Sequence, residues 1–189
     1  MTPFEYVIVL ISIIIGLGIT TILSGLAEII KHRHSSRFYA PYLIWIVLVF
    51  VMHIHEWWES YSLRTIEEWK LPMFLFVILY PIALYILAHL LFPADIRNGF
   101  NSREFFLSNY PRIFVTAITL VILSIIHNVF VADYALMDQV IQFALLIILS
   151  GVMLLKIRNS LVHHVVAIVF LALMLGSLIL LQDTYLTIR

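Results

Sequence analysis

Apolar residues in this chain come in long runs broken by short polar punctuation, and the runs have the length of membrane crossings. A spanning helix needs about 20 mostly apolar residues. Six stretches qualify: 4–30, 41–59, 71–92, 112–131, 136–157 and 161–181. Pro3, Pro41, Pro93 and Pro111 stand at predicted helix ends, where a missing N–H costs least. Pro81 lies inside the third run and predicts a kink near Tyr80. The connections are short except 93–111, PADIRNGFNSREFFLSNYP. There Asn98-Gly99 reads as a turn. Asn101 followed by Glu104 resembles a capping box ahead of Phe105, Phe106 and Leu107, which predicts a short helix lying in the membrane interface.

Composition sharpens this pattern. The 189 residues are 63% hydrophobic and only 12% charged. A soluble domain carries about 45–50% apolar and about 25% charged residues, and one this small cannot bury so much apolar surface in a single core. The expected fold class is therefore all-α: a polytopic integral membrane protein, one transmembrane domain of six helices. Eleven Lys and Arg balance eleven Asp and Glu, so no basic surplus points to nucleic acid. With no cysteine, the chain has no thiolate chemistry: no disulfide exchange, no iron–sulfur cluster, no cysteine-attached haem.

The placement of basic residues predicts orientation. Lys31, Arg33 and Arg37 follow the first run, Arg97, Arg103 and Arg112 lie between the third and fourth, and Lys156 and Arg158 separate the fifth and sixth. These loops share one side of a six-helix chain. Only Arg64, Lys70 and Arg189 fall on the other. By the positive-inside rule the first side is cytoplasmic and both termini are outside, which fits a bacterial inner membrane with periplasmic ends. The segments FEYVIVLISIIIGLGIT and LYPIALYILAHLLFP are similar to those of small multi-spanning bacterial membrane proteins, a similarity that assigns no residue a role.

Polar residues inside an apolar span are costly, so each one is a candidate for function. The densest group is His53-Ile54-His55-Glu56-Trp57-Trp58-Glu59, at the outer end of the second run. At about 100° per residue, His53, His55, Glu56 and Glu59 share about 160° of arc while both tryptophans point away. His53–Glu56 and His55–Glu59 have the spacing of touching pairs. His127, Asp138 and Gln142 are expected at the same depth, with Asn128, Gln139, Gln182 and Asp183 near them. A divalent metal would draw on His53, Glu56 and His127, although no HExxH-like spacing is present. Haem would draw on the level couples His53/His127 or His89/His163. The ordinary alternative is an interfacial belt of tryptophans and solvated polar groups.

A second set lies toward the inner side. Thr21, Ser24 and Glu28 share about 60° of arc beside Gly18 and Gly25, a small-residue face suited to close helix approach. In the fourth run Thr116, Thr119, Ser124 and His127 form a stripe, which either lines a wet path or is satisfied by the helix's own carbonyls. Three function classes follow. The first is a channel or carrier, or a subunit of one, for protons, cations or a small solute. The second is a membrane oxidoreductase holding haem or metal. The third is a non-catalytic membrane partner or assembly factor. A bundle this thin is expected to form a homo-oligomer or join a membrane complex, with lipid as its other partner; no cofactor is the leading expectation.

Overall fold

The computed structural model describes residues 3–32, 38–66, 68–94 and 100–181, with backbone alone at 180 and 181. Among these residues every regular element is helical: α1 (Pro3–Lys31), α2 (Ala40–Glu59), α3 (Leu71–Leu90), α4 (Ser102–Phe130), α5 (Val140–Leu154) and α6 (Ser160–Leu181). Two 3-10 segments, Ser60–Thr65 and Leu136–Gln139, extend α2 and lead into α5. With these segments included, all six are long and apolar enough to cross a membrane. The Asn98-Gly99 turn, Arg33, Arg37, Arg97, Gln182 and Asp183 lie outside the described residues.

The largest departure from the sequence reading is at 93–111. The interfacial helix and the fourth span are one rod, α4, which runs through Pro111 instead of starting at it. Asn101 does cap that rod, its Oδ1 accepting the Glu104 N–H at 3.4 Å. At 1.5 Å per residue the 29 residues of α4 reach about 43 Å, well beyond a hydrocarbon core of about 30 Å. The Arg103–Arg112 portion is the natural overhang. Pro111 removes one i→i−4 hydrogen bond, and the helix continues on both sides of it. Pro81 is likewise accommodated, buried inside a continuous α3.

α2 is the hub. It packs against α1, α3 and α6 and touches α4. Trp45, fully buried, lies in tilted contact with Phe114 of α4 (5.5 Å) and Phe170 of α6 (5.9 Å). The main core gathers Tyr42, Ile46 and Val49 of α2, Leu84 and Leu87 of α3, Phe106, Ile113 and Phe114 of α4, and Ala167 of α6. α1 packs chiefly on α3. α5 leans on α4 and buries only Leu149 and Val152, as a helix bordered by lipid would.

The helix ends are joined by polar contacts that helical periodicity does not show. The Tyr39 N–H donates to the buried Ser102 Oγ at 2.7 Å, and Ser160 Oγ donates to the Tyr39 hydroxyl at 3.1 Å. These ties fasten the starts of α2, α4 and α6 together. Beside them His163 is fully buried; its Nε2–H donates to Ile157 O at 3.0 Å. The rings of Phe106, Tyr110 and Phe114 surround it at 5.0–5.9 Å.

Candidate functional site

Polar residues of α1, α2 and α3 gather at three places: the Gly18–His53 contact, the Glu59 end of α2 and a cavity between α1 and α3. In the first of these His53 meets Gly18. A Cβ at position 18 would fall inside the His53 imidazole, so only glycine admits the ring here. His53 is fully buried, and its Nδ1–H donates to Val49 O at 2.7 Å. That bond fixes the tautomer and leaves the Nε2 lone pair facing inward without a hydrogen-bond partner. An unpaired buried polar atom costs about 1–3 kcal/mol, and this nitrogen shares that condition with Trp45 Nε1, the Tyr42 hydroxyl and His163 Nδ1 among the described residues.

Toward the Glu59 end of α2, His55 Nε2 stands 3.7 Å from Glu59 Oε1, the contact their spacing allows. Glu56 is half-buried on the same helix, and Tyr80 of α3 lies within electrostatic range of both Glu56 and Glu59. Trp57 and Trp58 are exposed on the opposite side. The His53–Glu56 contact that spacing also allows is not made: the Val49 carbonyl takes the Nδ1 proton and the ring is turned onto Gly18.

Toward the Lys31 end of α1 a cavity of about 450 Å³ lies between α1 and α3. Thr21, Ser24 and Glu28 line one wall and His89 and Phe92 the other. The three α1 residues thus share a face in the fold as they do on a helical wheel. The His89 ring lies in tilted contact with that of Tyr85 at 4.5 Å. Glu28 Oε1 is 3.3 Å from both Lys31 Nζ and His32 Nδ1. Gly25 is needed because the Phe92 ring occupies the space a Cβ would take.

The α4–α5 polar residues belong to a different arrangement. Asn128 Nδ2 donates to Gln139 Oε1 at 2.8 Å, and Gln142 Nε2 donates to Ser124 Oγ at 3.4 Å. Side chains that hydrogen-bond across two apolar helices hold those helices together. Asp138 accepts the Ala135 N–H at 3.1 Å and closes the turn before α5. Thr116 and Thr119 donate to the carbonyls of Arg112 and Val115, four residues back. The hydroxyl stripe of α4 is therefore satisfied within the helix and across to α5.

Among the described residues, no group of three or more His, Asp or Glu is close enough to hold a metal ion. His53, Glu56 and His127 are not brought together as a ligand set, because His53 turns to α1 while α4 packs on α3 and α5. The haem couples meet the same obstacle. His53 is closed against Gly18, His163 is ringed by α4 aromatics, and His89 faces α1.

Tyr80 and the unpaired His53 nitrogen are the features sequence reasoning missed. A tyrosine in mid-span before Pro81 was the available signal for the first. Nothing in the sequence marked the second. No family model, no curated protein and no solved structure matches this chain.

Proposed function

We propose that this chain is a six-span integral membrane protein that carries protons, or small cations with them, along the α1–α2–α3 seam. The single observation behind this reading is the buried, unpartnered His53 Nε2 placed between two polar regions at opposite ends of the fold. From Gly18 to Glu28, α1 advances about 15 Å, and from His53 to Glu59, α2 advances about 9 Å the other way. Meeting at Gly18–His53, the two runs cover most of a core about 30 Å thick. Imidazole is the side chain best suited to hold a proton near neutral pH, and here Nε2 is the atom that would take the proton up from one side and give it up to the other, while the Nδ1–H stays on Val49 O. Glu56, Tyr80 and Glu59 are the outer relay groups in this reading, and Glu28 and His89 the inner ones. In this reading the Lys31 end faces the cytoplasm and both termini the periplasm of a bacterial inner membrane, an orientation that the positive-inside rule supports. Assembly as a homo-oligomer would shield the thinly packed α5 side.

Proteoliposomes enclosing a pH-sensitive dye test this. The native chain should pass protons down an imposed gradient, and His53→Ala and Glu56→Gln should lower the rate by about 100-fold. Flux no greater than in protein-free vesicles with proton, sodium and potassium gradients would refute the carrier reading and leave a non-catalytic membrane partner in its place. Unchanged flux in both variants would remove the seam from the mechanism.

A further inference from the structure

The geometry points to the cavity between α1 and α3 as a binding site for a primary ammonium group borne on an apolar body. It would make the inner end of the seam a substrate or lipid site, and its role in transport rests on the carrier reading above; binding itself does not. The volume, about 450 Å³, lies in the range of small-molecule pockets.

The lining chemistry selects the charge and the proton. Thr21 spends its hydroxyl hydrogen on Leu17 O at 3.0 Å, so toward the cavity it offers lone pairs only. Glu28 offers carboxylate oxygens. Lys31 and His32 both approach Oε1, and no described residue takes Oε2. Among the described lining residues the carboxylate charge is that of Glu28, Thr21 adds lone pairs, and Ser24 and His89 can each accept as well as donate. Such a wall suits a hydrogen-bond donor carrying positive charge. An anion would face the carboxylate, and a neutral ether or ketone would leave Thr21 Oγ1 and the Glu28 carboxylate without a donor. Phe92, held against Gly25, adds an aromatic ring to the same cavity, a surface that attracts both a cation and hydrocarbon. An N–H donor also separates a primary amine from a quaternary one. The quaternary cation keeps the attraction to Glu28 and Phe92 but has no proton to give Thr21. Two sources carry this chemistry, a free arylalkylamine and the ethanolamine headgroup of a phospholipid.

Calorimetric titration of the full chain in phosphatidylcholine nanodiscs with phenethylamine, its N,N,N-trimethyl analogue and 2-phenylethanol tests the site. Phenethylamine should bind saturably, and both the alcohol and the quaternary analogue should bind about tenfold or more weakly. Glu28→Gln and Thr21→Val should each weaken the amine, Glu28→Gln the more. The Glu28–Lys31 pair is solvent-exposed and contributes little to folding, so Glu28→Gln should keep the native thermal stability. Competition by added phosphatidylethanolamine would assign the site to the lipid headgroup, and unchanged amine binding would assign it to the free amine. Equal affinity for amine and alcohol, or Glu28→Gln and Thr21→Val indistinguishable from the native chain, would overturn the proposal. Because the readout is binding, a chain that binds amine but passes no protons refutes the carrier alone. One that passes protons but binds no amine refutes only the cavity.

Discussion

Gly18→Ala is the most direct probe of the seam. The added methyl lands within the His53 ring, where ordinary contact begins only at 3.4 Å. The ring cannot swing aside freely, because its Nδ1–H is held by Val49 O at 2.7 Å. Either that hydrogen bond breaks, at about 0.5–1.5 kcal/mol, or α1 and α2 move apart and loosen the contacts around them. Overpacking of this kind costs about 1–3 kcal/mol. For a chain of this length that corresponds to a fall in Tm of roughly 2–12 °C. Thermal unfolding in detergent, followed by far-ultraviolet circular dichroism, reads it. Gly16→Ala is the internal control: nothing lies within 4 Å of a Cβ there, so it should be neutral or gain up to about 1 kcal/mol of helix propensity. His53→Ala placed on Gly18→Ala removes the collision. The double variant should therefore be more stable than the two single costs added together, by about 0.5–3 kcal/mol. Additive costs, or a Gly18→Ala variant as stable as Gly16→Ala, would refute the close approach and with it the position of His53.

Two further outcomes are expected. Lys156 ends α5 with a left-handed φ of 50°, its N–H bonding to Met153 O and that of Ile157 to Val152 O. Lys156→Gly should raise stability by about 1 kcal/mol in the same unfolding measurement, since glycine adopts that conformation without the Cβ clash; a loss of stability would contradict the turn geometry. The cysteine-free chain also suits single-cysteine labelling. In spheroplasts, Glu68→Cys should react with an impermeant maleimide and Asn159→Cys should not, and the reverse result would invert the orientation.

Much of the architecture was legible because membrane crossing imposes a length and a composition that few other structures share. The starts of α1, α2, α3 and α6 fall within a residue of the expected positions, since each begins where an apolar run begins. α4 was misread for a physical reason. Proline at a helix start and proline inside a membrane helix leave the same trace in a sequence, and only the continuous backbone from Ser102 to Phe130 distinguishes them. Of the candidate site, Thr21, Ser24 and Glu28 were readable as one helix face. The side-chain partners of His53 were not. Arithmetic along α2 set it beside Glu56, whereas the fold turns it onto Gly18, thirty-five positions away in the chain.

The sequence alone determined that six apolar helices form and which polar residues lie on them, because hydrophobicity and helical period are local properties. Only the tertiary structure decided that Gln142 and Asn128 hold α5 to α4, that Thr21 and Glu28 meet His89 across a cavity, and that His53 closes on α1 with one nitrogen unpaired. A helix states which way its side chains point relative to one another. Which neighbour each face meets depends on how all six pack, and that is settled by contacts between residues far apart in the chain.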